Sequence, residues 1–140
     1  MGAELADTAV LPTIGSKEFI AWLPTLLGLG PTSTVVVPQI AYPTYAVGAE
    51  LVGANVVVSD ATSSVGPETP DVFWLNSPSN PTGRVLGVEH LRKVVEWARE
   101  RGTLVVSDEC YIELAWDAQP ISILHPEVCG GTHEGLLSVH

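Results

Sequence analysis

Basic side chains, cysteine and long apolar runs are all scarce in this 140-residue chain. Six lysines and arginines stand against sixteen aspartates and glutamates, and the formal net charge is -10. Such a charge repels nucleic-acid backbones and anionic lipid surfaces, which argues against both kinds of partner. No apolar run approaches the roughly 20 residues of a membrane span, and residues 1–11 lack the features of a signal peptide. We therefore expect a soluble cytoplasmic protein.

The two cysteines, Cys110 and Cys129, are too few for a disulfide framework or a zinc motif, so we expect free thiols. His125, Cys129 and His133 do follow one another at four-residue spacing, which would place them together on a helix. A proline and two glycines interrupt that stretch, and a regular helix is not expected there. The sequence thus predicts no metal site.

The residues that are present predict an α/β fold. A hydrophobic content of 46% is enough for the core of one domain. Short apolar runs rich in β-branched residues predict five strands, at Thr34–Val37, Asn55–Val58, Val72–Leu75, Leu104–Ser107 and Leu136–Val139. Their apolar residues are nearly continuous, as in parallel strands that are covered on both faces. We predict a mostly parallel sheet with helices on both faces, in a single domain over residues 1–140.

The clearest helix is predicted between Val88 and Arg101. Its apolar residues recur on one stripe, while Glu89 and Lys93 have the spacing of an i,i+4 ion pair. Gly102 supplies the stop. The arginines of the chain, three of them on this helix, are expected to be solvated surface charges: Arg84, Arg92, Arg99 and Arg101.

Two further helices are predicted nearer the N-terminus. One begins at Ser16, a suitable N-cap, and Pro24 should bend or shorten it. The other extends from about Tyr42 to about Gly53. A helix N-terminus offers unpaired N–H groups and partial positive charge, so the segment Gly15-Ser16-Lys17 suits a phosphate or a carboxylate. An N-cap serine followed by a surface lysine explains the same residues equally simply.

Two loops after predicted strands carry polar side chains. Leu75 is followed by Asn76-Ser77-Pro78-Ser79-Asn80-Pro81-Thr82-Gly83, whose two prolines stiffen the chain around Asn80. The next strand leads into Ser107-Asp108-Glu109-Cys110-Tyr111. Carboxyl ends of strands border the ligand crevice of an open α/β sheet, so Asn80, Asp108 and Tyr111 should face one ligand. Ordinary turn or capping roles for these residues stay open.

Together these stretches resemble the class I and II aminotransferases of pyridoxal phosphate (PLP) fold type I. Asn80-Pro81-Thr82-Gly83, a helix, a valine-rich strand and then Asp108-Glu109-Cys110-Tyr111 occur in the family's order and at about its separation. The resemblance covers residues 15–140 and implies part of the large, PLP-binding domain. Within the family, Leu11–Phe19 and Ala41–Tyr45 look most like actinobacterial succinyldiaminopimelate aminotransferases.

The resemblance implies contacts with two parts of the cofactor. Residues matching the family's phosphate-binding loop are Gly15, Ser16 and Lys17. Tyr42 matches the aromatic residue that stacks on the pyridine ring, and Tyr45 is the less favoured choice for that position.

Polar contacts to the ring are implied in the same way. Asn80 and Tyr111 match the donors to the phenolic oxygen of PLP, and Asp108 matches the carboxylate that pairs with the ring nitrogen. This carboxylate would keep the nitrogen protonated, so that the ring accepts charge when a substrate bond at Cα breaks. Asp108 is accordingly the expected catalytic residue of this chain.

An aminotransferase of this type also needs a lysine that forms a Schiff base with PLP and moves a proton. The chain contains only Lys17, in the expected phosphate loop, and Lys93, on the exposed side of a helix. Neither suits the role. The family's N-terminal segment, small domain and Schiff-base lysine region have no counterpart here, so we expect a fragment without transaminase activity of its own.

For the complete protein, the resemblance implies a homodimer that transfers an amino group between an amino acid and a 2-oxo acid. N-succinyl-LL-2,6-diaminopimelate, with glutamate and 2-oxoglutarate, is the implied substrate set. A PLP-dependent C–S lyase of the same fold and a non-catalytic α/β remnant are the alternatives. A dinucleotide-binding domain is disfavoured because Gly28-Leu29-Gly30 lacks the third glycine and does not lead from a strand into a helix.

Overall fold

The computed structural model describes residues 2–140 and contains a five-stranded parallel sheet in the order β2-β1-β3-β4-β5. The strands are β1 (Thr34–Val37), β2 (Asn55–Val58), β3 (Val72–Asn76), β4 (Leu104–Asp108) and β5 (Leu136–Val139). All five predicted strands are confirmed. Two of them, β3 and β4, extend one residue beyond prediction, so that Asn76 and Asp108 pair at the carboxyl end of the sheet.

Four α-helices precede or connect the strands: α1 (Ser16–Leu26), α2 (Thr44–Leu51), α3 (Val88–Arg101) and α4 (Pro126–Cys129). Short 3₁₀ turns lie at Asp7–Ala9, Thr62–Ser64 and Ile112–Leu114. The bounds of α3 are as predicted, and Gly102 ends it in the left-handed conformation, at φ 68°. None of the helices within residues 2–140 combines the length and the apolar character that a membrane crossing requires.

α1 begins at Ser16, as predicted, but its N-cap residue differs from prediction, and α2 begins later than predicted. Gly15 takes the N-cap position of α1 and Ser16 is its first helical residue, so Ser16 is not the N-cap, and no side chain caps the helix. Pro24 lies in the last turn, two residues before the end at Leu26. α2 begins only at Thr44, because Pro43 occupies its N-cap position. Tyr42 therefore precedes the helix instead of opening it.

Helices cover both faces of the sheet, as predicted. On one face α3 buries its apolar stripe against alternate side chains of β3 and β4. On the other face α1 and α2 pack against the side chains that point the opposite way, including Val35, Trp74 and Val106. Burying a side chain such as Leu91, which is 1% exposed, contributes about 1.5–3 kcal/mol to stability. The central strands are thus buried on both sides, which explains their continuous apolar sequences.

The arginines of α3 lie at the surface, as predicted, but two of them also bind backbone carbonyl oxygens outside this helix. Arg92 donates to the carbonyl oxygen of Glu127 through two nitrogens, at 3.0 and 2.7 Å. Arg99 donates to the carbonyl oxygens of Cys129 and Thr132, at 2.8 and 2.7 Å. These acceptors lie in and after α4, where helix carbonyls lack partners of their own. Glu89 pairs with Arg92 at 2.9 Å, not with Lys93.

The stretch with histidine and cysteine at four-residue spacing has local structural roles. Nδ1 of His125 accepts the Glu127 N–H at 3.2 Å and so caps α4. The Cys129 thiol and Nε2 of His133 both contact the carbonyl oxygen of Leu124, at 3.4 and 3.2 Å. Within residues 2–140, no group of three or more acidic, histidine or cysteine side chains is arranged to hold a metal ion.

Candidate functional site

A cavity of about 220 Å³ lies where the carboxyl ends of β3 and β4 meet the N-terminus of α1. Its lining consists of Ser16, Lys17, Ile20, Tyr42, Asn80, Asp108, Cys110 and Tyr111. Six of the seven predicted site residues are in that set, and Gly15 immediately precedes the first of them. Three larger cavities, of about 850, 480 and 380 Å³, contain at most one of these six side chains. The convergence of residues, not the size, distinguishes this cavity.

Asp108 is the buried acid of the cavity, with 4% of its surface exposed. Its Oδ2 accepts a hydrogen bond from the hydroxyl of Tyr45 at 2.6 Å. Its Oδ1 accepts the backbone N–H of Cys110 at 3.2 Å. Both oxygens of the carboxylate therefore have a donor, and hydrogen bonds of this kind stabilise a buried negative charge.

Two tyrosines at the start of α2 have different surroundings. Tyr42 is half-buried and forms part of the cavity wall. Tyr45 is 1% exposed and lies behind it, stacked on Trp74 with ring centroids 4.7 Å apart. Burial, and then the hydrogen bond to Asp108, raises the pKa of the Tyr45 phenol well above its ordinary value. The phenol consequently keeps its proton and acts as a donor.

Asn76, which sequence reasoning named only as the start of a loop, joins the two loops of the site. Its Nδ2 donates to the carbonyl oxygens of Asp108 and Pro78, at 2.9 and 3.2 Å. Its Oδ1 accepts the backbone N–H of Asn80 at 2.7 Å. Asn76 is 6% exposed, and a polar residue at the buried end of a predicted strand is the sequence signal that would have found it.

The N-terminus of α1 forms another wall of the cavity. The first N–H groups of a helix have no partners within the helix, and the helix dipole favours an anion beside them. Ser16 and Lys17 line the cavity at this point, with Lys17 exposed. A Cβ at Gly15 would lie 2.6 Å from Oε2 of Glu18, so glycine leaves room for that carboxylate to fold back toward the first turn.

Cys110 also lines the cavity, although no role was predicted for it. Burial of the thiol raises its pKa to about 12, and hydrogen bonding to Asp108 adds to the effect. The thiolate is the reactive form of cysteine. This thiol is therefore a weak nucleophile, even though the residue as a whole is exposed.

The sequence of the chain is also similar to those of known proteins. The family model "Aminotransferase class I and II" matches residues 2–138. This chain belongs to that family. It is 68% identical to the probable aminotransferase Rv1178 of Mycobacterium tuberculosis, over 97% of this chain and 32% of that protein. It is also 54% identical to OxyQ, the 4-dedimethylamino-4-oxo-anhydrotetracycline transaminase of Streptomyces rimosus, over 100% of this chain and 39% of OxyQ.

Solved structures give the same fold. The aminotransferase AspB from Helicobacter pylori superimposes with a TM-score of 0.78 at 26% identity, over 90% of this chain and 37% of that one. A probable N-succinyldiaminopimelate aminotransferase from Thermus thermophilus gives 0.75 at 26% identity, over 89% and 36%. The fold is therefore that of PLP fold type I, and PLP is the cofactor that the family implies. The chain spans about a third of the length of the relatives that it matches.

Proposed function

We propose that this chain is the cofactor-binding part of the large domain of a PLP-dependent aminotransferase. The observation that carries the proposal is the convergence of six side chains, from four separate segments, on one cavity beside a buried carboxylate. When bound, PLP supplies an electron-accepting ring that stabilises the charge released as a substrate bond at Cα breaks. The protein's own contribution is to hold and orient that ring.

The donor set of the cavity fits this cofactor. Asp108 offers a buried anion to a protonated ring nitrogen, and Tyr42 offers an aromatic wall for the ring. Asn80 and Tyr111 are the donors in reach of the cavity for the phenolic oxygen. The phosphate would bind at the start of α1, among the N–H groups of the segment Gly15-Ser16-Lys17, where partial positive charge favours an anion.

For the complete protein we propose transfer of an amino group between an amino acid and a 2-oxo acid. N-succinyl-LL-2,6-diaminopimelate is the proposed amino donor, with glutamate and 2-oxoglutarate as the second pair. The name of the Thermus neighbour supports this choice, as does 34% identity to an LL-diaminopimelate aminotransferase of Dehalococcoides mccartyi. The name of OxyQ favours a second candidate, a tetracycline-type oxo substrate. Assays of the complete enzyme with both substrates would decide between them.

We further propose that the complete enzyme is a cytoplasmic homodimer. Large apolar side chains are exposed on α1 and α2, including Trp22 at 59%, Leu26 at 67% and Leu51 at 74%. Apolar surface of this kind is typical of faces that another part of a protein covers. Sedimentation of the complete enzyme tests the oligomeric state.

The 140-residue chain on its own should not catalyse transamination. Lys93 is exposed on α3, away from the cavity, and Lys17 is placed at the helix terminus proposed for the phosphate. Treatment with PLP and borohydride, followed by peptide mass spectrometry, tests this. We expect no stoichiometric labelling of either lysine, and full labelling of Lys17 would contradict the proposed phosphate site.

Cofactor binding itself is tested with pyridoxamine 5′-phosphate, which needs no lysine, by equilibrium dialysis against the 140-residue chain. Asp108→Asn removes the charge opposite the ring nitrogen and should weaken binding by about ten-fold or more. Asp117→Asn makes the same chemical change at an exposed residue outside the cavity and should leave binding unchanged. Equal affinities of both variants and the wild type would refute the assignment.

A further inference from the structure

We propose that Tyr45 is a positioning residue for Asp108, fixing the rotation of its carboxylate so that the carboxylate can face the nitrogen of a bound pyridine ring. This inference rests on the proposed binding of the cofactor. It gives Tyr45 a role different from stacking on the pyridine ring. For ring stacking, the sequence had favoured Tyr42 over Tyr45.

The geometry of the pair carries the first step. The Tyr45 hydroxyl and Oδ2 of Asp108 are 2.6 Å apart, although the residues are 63 positions apart in the chain. The two residues are 1% and 4% exposed, so water does not compete for the contact. A buried hydroxyl without a partner is costly, and phenylalanine would fill the same space. The hydrogen bond to Asp108 therefore explains why this position has a tyrosine instead of a phenylalanine.

Neighbouring aromatic rings fix the position of the donor. The Tyr45 ring is stacked on Trp74 at an interplanar angle of 23°. The edge of Tyr42 meets it at 82°, with the centroids 6.0 Å apart. Held on two sides, the phenol cannot swing toward the cavity, and its hydroxyl restricts rotation of the Asp108 side chain. Cys110 holds the second oxygen from the other side.

The chemical nature of the donor carries the last step. A phenol that keeps its proton is neutral, so it stabilises the carboxylate without cancelling its charge. Within residues 2–140, Asp108 forms no ion pair with a lysine, arginine or histidine. A cationic partner in the place of Tyr45 would repel a protonated ring nitrogen. A neutral donor leaves the negative charge available to that nitrogen.

Two probes separate this role from a merely structural one. Pyridoxamine 5′-phosphate contains the ring nitrogen, whereas its 1-deaza analogue has a CH group in that place. For Tyr45→Phe we expect about ten-fold weaker binding of the first probe, the loss typical of a hydrogen bond to a charged group, and an unchanged affinity for the second. Asp108→Asn should show the same selectivity, and the double variant should lose no more than Asp108→Asn alone.

An equal loss for both probes would show that Tyr45 only supports the shape of the cavity, and would overturn the inference. A further readout needs no cofactor: the ¹³C NMR signal of the Asp108 carboxylate should shift in Tyr45→Phe, while that of the exposed Asp117 should not. If the wild type binds neither probe, the proposed function fails, and this signal alone decides whether Tyr45 acts on Asp108. An unshifted signal overturns the inference in either case. Circular dichroism confirms that each variant is folded.

Discussion

Oε2 of Glu109 lies 3.4 Å from Nε2 of His140. The Glu109 side chain is only 1% exposed. The other oxygen, Oε1, accepts the backbone N–H of Ile123 at 2.7 Å. Asp108 and Glu109 are adjacent in sequence, yet the first serves the cavity and the second ties down the loop that leads to α4. The two adjacent carboxylates at the end of β4 thus have separate roles.

Two replacements of Glu109 should separate the contribution of its hydrogen-bond acceptor to stability from the contribution of its negative charge. Glu109→Ala leaves the Ile123 N–H without a partner and opens a void, so we expect the free energy of unfolding to fall by about 2–3 kcal/mol. Glu109→Gln keeps an oxygen acceptor for that N–H and should cost less than about 1 kcal/mol. Urea unfolding of the two variants measures the difference. Equal losses would mean that the charge near His140, not the Ile123 contact, is what matters.

The buried phenol of Tyr45 should make stability fall at alkaline pH. Its pKa is raised in the folded chain, so the contribution is complete below about pH 10, where an unfolded tyrosine starts to ionise, and is lost as the pH rises further. The slope should approach about 1.4 kcal/mol per pH unit. Urea unfolding from about pH 8 to 11 measures it, and Tyr45→Phe should show a shallower fall. Both proteins keep Cys110, so the difference between them reports mainly the Tyr45 phenol.

The thiol of Cys110 should react slowly despite the exposure of the residue. Since its pKa is raised to about 12 by burial and by Asp108, little thiolate forms near neutral pH. At about pH 8 we expect alkylation by iodoacetamide to be at least about ten-fold slower than for a cysteine in an unstructured peptide. Asp108→Asn should accelerate it. Mass spectrometry of the Cys110 peptide follows the reaction, and a rate matching the free peptide would refute the expectation.

At Gly48, α2 packs tightly against the backbone of α1. A Cβ there would lie 2.9 Å from the carbonyl oxygen of Ala21 and 3.2 Å from that of Ile20. Although alanine is the better helix former, Gly48→Ala should therefore lower the free energy of unfolding by about 1–3 kcal/mol. Gly30→Ala, in a loop where nothing lies within 4 Å of the added Cβ, is the control and should change the free energy of unfolding by less than about 0.5 kcal/mol. Urea unfolding compares the pair.

Periodicity was sufficient to predict the sheet and α3, because the central strands are buried on both faces and the helix on one. Local signals also placed Asn80 and Asp108 at the same edge, since both follow strands of a parallel sheet. The partners of Arg92 and Arg99 could not be predicted. They are backbone carbonyls 30 to 35 residues away. Every residue has such a carbonyl, so the sequence does not show which ones will accept a hydrogen bond.

The roles of the two tyrosines show the same limit. Tyr42 and Tyr45 are three residues apart, and a helix over both would have turned them to neighbouring positions on one face. Because Pro43 delays the start of α2, Tyr42 remains outside the helix while Tyr45 is held in its first turn against Trp74. The hydroxyl contact with Asp108 follows from that packing, which depends on residues from three distant segments.

The side-chain amide of Asn76 has a consequence for the thermodynamics of binding. It spans two loops, so Asn80 and Asp108 are parts of one hydrogen-bonded frame and cannot move independently. A ring that touched both would find its contacts already in place, and little conformational entropy would be lost in ordering them. Affinity at this site would then depend on how well the ligand fits. Loss of the Asn76 hydrogen bonds would weaken binding even though no direct contact with the ligand is removed.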